Sequence, residues 1–407
     1  MKEMLGRISF NDFKRVVNFI TTHLTTNDIF MDISNDDQWI YAATEPVDDG
    51  SRIKLRMKAL FTEKNMEGRF EFKKEDLLEV LKVFRTNKKP LELIYDHEDL
   101  GLPSSNMIFK LADKEVSVKC TGTTIVKKQA RRSSGYYAGQ ADGVLFNTML
   151  GNAKAIPDRI PVKQGFGGEL CITADQGQLR FASYDLKNYT VSEYSKDVDE
   201  SLHLQMIVDK DTFKTMAKIL NDLCGSAYDM TLYKNAIMFE YNDAQLLVEG
   251  SKKTTCKDIF IPKIDLSGRA VVFEEKDVNK IIKDIQDYAK ENGGKANSAF
   301  LGNKYMDILP DGKVLMDRNR QEKRVSVYKV MNLLNVYFFD GVDIIFKNEG
   351  LAFRKTINDE QVVILYAYDG TETSKEVEQF NVDDSRVAEQ ICEESEEIER
   401  ERGLPDL

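Results

Sequence analysis

One succession of strands and helices, written three times, constrains this chain more than any other feature. Residues 1–121 read as a strand (Leu5–Phe10), a helix (Asn11–Leu24) and three strands (Ile29–Ser34, Trp39–Ala43, Ile53–Leu60). A strand (Gly68–Phe72), a helix (Lys73–Thr86) and three strands (Leu91–Tyr95, Met107–Leu111, Glu115–Cys120) follow. Apolar and polar residues alternate in the strands, as in Glu115-Val116-Ser117-Val118-Lys119, while Phe13, Val16, Val17, Ile20 and Leu24 recur at helical spacing. The order is β-α-βββ twice over.

The order returns from a helix at Asp142–Lys154, through Glu169–Ala174, Leu179–Ser183 and Tyr189–Tyr194, to strand Leu202–Val208 and helix Lys210–Leu223. Strands Asp229–Tyr233, Ala236–Tyr241 and Gln245–Glu249 close that copy. A third copy runs from strand Ala270–Phe273 and helix Lys276–Glu291 through a shorter strand set and a helix at Ser326–Asn335. It closes on Val342–Lys347, Leu351–Thr356 and Gln361–Tyr368. The leading helices start at residues 11, 142 and 276, 131 and 134 residues apart. A repeat this long is a duplicated domain, not a solenoid unit. Two polar linkers without periodicity, Gly122–Ser134 and Ser251–Ser267, separate the copies and predict domains at 1–121, 135–250 and 268–370 in an α+β chain. An acidic tail, 371–407, follows.

The net charge of −11 resides mainly in that tail, where thirteen Asp and Glu face four Lys and Arg, a net −9. The other 370 residues carry −2, so their lysines can line one surface and their carboxylates another. No apolar run is long enough to span a membrane and the N-terminus lacks the apolar core of a signal peptide, so the chain is expected to be cytoplasmic. Five dispersed cysteines without a C-x-x-C pair indicate neither a disulfide framework nor a zinc site. Three scattered histidines (His23, His97, His203) and the absence of phosphate-loop, dinucleotide, zincin and nucleophile-elbow motifs argue against an enzyme and call for no cofactor or metal. Asp36-Asp37 and Asp48-Asp49 fall in turns, where carboxylates favour local backbone bonds.

Three β-α-βββ-β-α-βββ copies joined by extended linkers resemble the bacterial DNA polymerase III beta subunit, the beta sliding clamp. Leu179-Arg180-Phe181-Ala182-Ser183-Tyr184-Asp185 is similar to that family's L-R-x-x-A-T-D segment. The family's following D-G-H is replaced here by Asp185-Leu186-Lys187, which marks a divergent member, of phage or mobile-element type. The resemblance covers residues 1–370. It implies the DNA clamp fold and a homodimeric ring of six domains around double-stranded DNA, acting as a polymerase processivity factor with a clamp loader among its partners.

A clamp must hold phosphates without reading bases, and mobile Lys and Arg side chains suit that task. Opposite their apolar stripes the helices carry Lys276, Lys280, Lys283 and Lys290; Lys210, Lys214 and Lys218; Lys82, Arg85 and, beyond the helix end, Lys89; and Lys14 and Arg15. Lys127, Lys128, Arg131 and Arg132 in the first linker, beside Tyr136-Tyr137, form the densest basic cluster. The bland alternative for each is a solvated face.

The resemblance also implies an apolar pocket for partner peptides. Its counterparts by alignment are Phe166, Ser183, Asp185, Leu186, Asn188, Pro262, Leu365, Tyr366 and Tyr368, with Tyr366-Ala367-Tyr368 where the family has a Met-Pro-Met-Arg-like ending. Ring closure would pair edge strand Glu115–Cys120, with Val116 and Val118, to the third domain of another chain. Gly403-Leu404-Pro405-Asp406-Leu407 is similar to the short Leu-containing peptides that enter such pockets. A viral assembly protein built of β-rich repeats is the reading from another class, and a nuclease with a site of non-local carboxylates is a third.

Overall fold

The computed structural model describes residues 2–34, 38–44, 50–65, 67–84, 89–96, 105–123, 135–154, 168–185, 190–252, 266–316, 324–348 and 350–368. Copy one consists of β1 (Lys2–Ser9), α1 (Phe10–His23), β2 (Asp28–Ile33), β3 (Gln38–Ala43), β4 (Arg52–Lys58), β5 (Phe61–Lys64), β6 (Gly68–Lys73), α2 (Lys74–Val83), β7 (Pro90–Asp96), β8 (Ser105–Leu111) and β9 (Lys114–Thr123). Copy two consists of β10 (Tyr137–Asp142), α3 (Gly143–Lys154), β11 (Leu170–Asp175), β12 (Gln178–Asp185), β13 (Thr190–Asp197), β14 (Leu204–Val208), α4 (Lys210–Leu223), β15 (Ala227–Tyr233), β16 (Ala236–Tyr241) and β17 (Ala244–Glu249). Copy three consists of β18 (Arg269–Glu274), α5 (Glu275–Glu291), α6 (Ser298–Leu301), β19 (Tyr305–Ile308), β20 (Val314–Met316), β21 (Val325–Ser326), α7 (Val327–Val336), β22 (Gly341–Phe346), β23 (Gly350–Ile357) and β24 (Glu360–Ala367).

The predicted elements are present, with ends displaced by one or two residues in most cases. The short strand β5 and the strand β10 ahead of α3 were not expected. β10 reads Tyr-Ala-Gly-Gln-Ala-Asp, and its glycine and alanines weaken the strand signal. α6 is a further addition, and the short strands β20, β19 and β21 of copy three form a separate sheet in that order.

Sheet order exposes a rule that element order alone conceals. In copy one the strand preceding each helix lies beside the strands following the other helix: β6 extends β4-β3-β2, and β1 extends β9-β8-β7. Copy two repeats the exchange, with β14 beside β11-β12-β13 and β10 beside β15-β16-β17. So does copy three, with β18 beside β22-β23-β24 and β21 beside β19. Three copies exchanging strands the same way are one fold repeated.

The chain divides into two compact units. One holds the described residues up to Gly139 and those of Asp229–Lys253; the other holds those of Gln140–Tyr228 and of the stretch from Thr254 to Arg386. In the first unit β4 pairs antiparallel with β17, Arg52 opposite Glu249 and Met57 opposite Ala244. In the second β13 pairs with β24, Thr190 opposite Tyr366 and Lys196 opposite Glu360. The division therefore runs through copy two, because one of its sheets continues copy one and the other continues copy three.

Each helix covers its sheet with one apolar stripe. Phe13, Val16, Val17 and Ile20 of α1 are buried, as are Phe213, Met216, Ala217 and Leu220 of α4, and Val278, Ile281, Ile282 and Ile285 of α5. Ser9 caps α1, accepting from the Asp12 amide at 3.4 Å, and a Glu274–Asp277 capping box opens α5. The β11–β12 hairpin turns through Gln176 (φ 49°) and Gly177 (φ 77°), the left-handed pair that a two-residue hairpin with native twist requires. No described helix is long and apolar enough to cross a membrane.

Candidate nucleic-acid interface

Burying those stripes turns the opposite helix faces outward. On α5, Lys276, Lys280, Lys283 and Lys290 are all exposed on one face. Glu274 holds the Lys276 ammonium at 2.8 Å, and that hydrogen bond raises its pKa. Exposed Asp287 shares this face and dilutes its charge. On α4, Lys210, Lys214 and Lys218 are half-buried. On α1, Arg15 is exposed between Asp12 (4.0 Å) and Asp243 (3.9 Å), and Lys14 is half-buried. Lys82 is exposed on α2. Lys89, past the end of α2, lines a cavity of about 400 Å³ with Arg7, Glu92 and Lys110. Arg7 donates to Glu92 there at 3.1 and 2.9 Å.

The β13–β24 ladder forms a second site. Strand alternation places Ser192, Tyr194, Tyr366 and Glu360 on the face covered by α3. Ser192 Oγ donates to the Met149 carbonyl (2.9 Å), Tyr366 Oη to Asn152 Oδ1 (2.8 Å), and Tyr194 Oη to Glu360 Oε2 (2.7 Å). Lys196 Nζ reaches Glu360 Oε1 at 2.7 Å and the Gln140 carbonyl at 2.8 Å. Burial pushes the Tyr366 hydroxyl well above its ordinary pKa. On the other face Glu193 accepts from Arg180 at 3.1 and 2.5 Å, and Leu365 and Leu266 each pack against the cluster of Val363, Ile345 and Ala352.

Solved structures similar to this chain match nearly all of it. The DNA polymerase III subunit beta of Pseudomonas aeruginosa has a TM-score of 0.55 at 10% identity, over 91% of this chain and 100% of that one. The beta sliding clamp of C. crescentus has a TM-score of 0.56 at 11% identity, over 89% and 98%. The DNA polymerase III beta subunit of Thermotoga maritima has a TM-score of 0.50 at 11% identity, over 91% and 100%. The chain has the sliding-clamp fold. No family model matches the sequence and no curated protein matches it, as expected when strand order persists while side chains diverge.

Within this clamp fold the predicted pocket residues separate. Ser183 is fully buried, its hydroxyl without a hydrogen-bond partner, and sits opposite Ser192 on the α3 face with Tyr366. Leu365 occupies the opposite face, half-buried, and Tyr368 is buried just beyond β24. Phe166, Leu186, Asn188, Pro262, the side chain of Asp185, the basic residues Arg85, Lys127, Lys128, Arg131 and Arg132, and the segment from 369 onward lie outside the described residues.

Strand β9 is not a bare edge along its whole length. Ser105–Leu111 pairs with Lys114–Cys120 on one side, and Cys120–Thr123 pairs with Arg69–Phe72 of β6 on the other. Val118 is buried and Val116 half-buried. Sequence reasoning missed the Glu360–Lys196–Tyr194 network, which unites residues more than 160 positions apart by a ladder no local pattern reveals. Among the described residues no group of His, Cys, Asp and Glu is placed to hold a metal.

Proposed function

We propose that this chain is a sliding clamp, a non-enzymatic processivity factor of three domains (1–121, 135–250 and 268–370). The observation that carries the reading is the coincidence of the thrice-exchanged strand order with lysine-bearing outer faces on α1, α2, α4 and α5. Phosphates are held by mobile ammonium groups, with no base read, so the contact is weak, salt-sensitive and free to slide. A polymerase and other partners dock at the β13–β24 junction, where Leu365 and Leu266 are half-buried against the apolar cluster of Ile345, Ala352 and Val363.

Ring closure follows from the joining rule. β4 takes β17 and β13 takes β24, which leaves β9 for another copy. The exposed flank of β9, Lys114–Lys119, supports this, with Val116 and Val118 at the contact and a homodimer as the smallest ring. A clamp loader that opens the ring is the corresponding partner.

Retention on circular DNA tests the proposal. The chain, loaded on a primed closed circle with its polymerase, is expected to stay bound through gel filtration, leave when the circle is linearised, and lengthen the polymerase's products. Equal retention on circular and linear DNA, with no change in product length, would refute it.

A further inference from the structure

Beyond the helix faces, the opposite face of the first unit's sheet carries a dense layer of cations over aromatic rings. Along β2, β3 and β4, alternate residues Ile29, Met31, Ile40, Ala42, Ile53 and Leu55 are fully buried. Their neighbours Phe30, Asp32, Trp39, Tyr41, Arg52, Lys54, Arg56 and Lys58 therefore share the other face. The Arg56 guanidinium lies 4.6 Å over the Trp39 ring, with the Lys58 ammonium 5.2 Å from it. Lys54 lies 4.7 Å over Tyr41, which also stacks on Phe30 at 5.1 Å. Arg69 approaches Tyr41 at 5.9 Å and is held by Asp32 through bonds of 2.8 and 2.9 Å. Burial, then the neighbouring Arg56 and Arg69, lower the Lys54 pKa to about 8. Four cations at every second position of one strand lie roughly 6.6 Å apart, and such crowding is relieved by an arriving anion.

We infer that this face docks the acidic segment 371–407 of the same chain, with Glu397, Glu399 and Glu401 meeting Arg52, Lys54, Arg56 and Lys58. The segment carries net −9 against −2 for the rest of the chain. Its glutamates at 397, 399 and 401 have the cations' own two-residue spacing. From residue 368 to Glu397 the connecting chain reaches up to about 95 Å, and tethering supplies a millimolar effective concentration. A polypeptide suits the face better than nucleic acid for two reasons. Trp39 and Tyr41 are each only 8% exposed beneath their cations, so no ring is open for base stacking. Asp28, Asp32, Glu71 and Glu249 on the same face repel a continuous polyanion, whereas Arg400 and Arg402 of the segment complement them.

Trp39, the one tryptophan in the chain, reports on this site. In the full-length protein its emission is compared with that of a variant carrying Glu397→Gln, Glu399→Gln and Glu401→Gln, at about 0.01 M and about 1 M salt, where the screening length falls from roughly 30 to 3 Å. We expect different emission at low salt and coincident emission at high salt. The low-salt difference should vanish when both proteins also carry Lys54→Gln and Arg56→Gln. A synthetic peptide of residues 387–407 should restore the wild-type emission to the tail variant.

Identical emission at low salt would overturn the inference. So would a difference that grows with protein concentration, which assigns the contact to a second copy. A response to a single-stranded oligonucleotide but not to the peptide would make the face a nucleic-acid site instead. None of these outcomes depends on the chain encircling DNA, so failure here and failure of the clamp reading are distinguishable.

Discussion

Lys54 shows how a single residue takes its chemistry from its neighbours. With its pKa near 8 in the folded protein against 10.5 ordinarily, its amine holds fewer protons when folded than when unfolded between those values, so its contribution to stability rises with pH across that window. Below pH 8 the full penalty of a crowded, partly desolvated ammonium is present. In a protein that also carries Glu397→Gln, Glu399→Gln and Glu401→Gln, so that no docked anion relieves this crowding, Lys54→Met is expected to raise the melting temperature at pH 7, with the gain shrinking as pH climbs from about 8 to 10.5, measured at constant ionic strength. Cys120 is shaped by burial alone, which pushes its thiol up to about 12, and Cys171 is buried as well, whereas Cys224 is exposed at the end of α4. Alkylation at pH 8 followed by peptide mass mapping should therefore label Cys224 before Cys120 and Cys171, which are reached only on unfolding. Comparable labelling of Cys120 in the native protein would contradict its burial.

At the scale of elements, α3 is where local sequence and long-range packing meet. Its helical content was legible from Leu145, Phe146, Met149 and Leu150, all fully buried, but not its role as the cover of the β13–β24 ladder. Tyr366 illustrates the difference: alignment offers it as a pocket wall, while strand parity turns it inward onto Asn152. Asn152 Nδ2 already lacks a partner, so Tyr366→Phe leaves the whole amide unsatisfied and should lower unfolding free energy by about 1–2 kcal/mol in urea titration. Gly143, the first residue of α3, is a second constraint invisible in sequence. A Cβ there would strike the backbone of Gly225 and Ser226, which cannot move aside as a side chain can, and the Gly143 amide donates to the Ser226 carbonyl at 2.8 Å. Gly143→Ala should cost about 1–3 kcal/mol despite alanine's better helix propensity.

For the whole molecule, periodicity exposed the repeat because each copy must bury one stripe per helix and one face per strand, whatever its side chains. Strand exchange stayed hidden because β1 and β6 carry the same alternation whichever triplet they join. The lysine faces were legible for a related reason: a helix with a buried stripe has only one opposite face, so Lys276, Lys280, Lys283 and Lys290 had nowhere else to go. That geometry separates the proposed DNA contact from stability. Lys280 and Lys283 are exposed, so Lys280→Glu with Lys283→Glu should change the melting temperature by no more than about 2–4 °C, surface changes of this kind costing up to about 0.5 kcal/mol each. Binding to circular duplex should weaken, and the slope of log affinity against log salt should become shallower by about 0.9 for each phosphate that the variant no longer neutralises. An unchanged slope with weaker binding would mean that the variant perturbs assembly rather than its grip on phosphate. Sedimentation of the same variant resolves this: a protein that keeps its association state while its salt dependence falls is impaired in holding the DNA backbone alone.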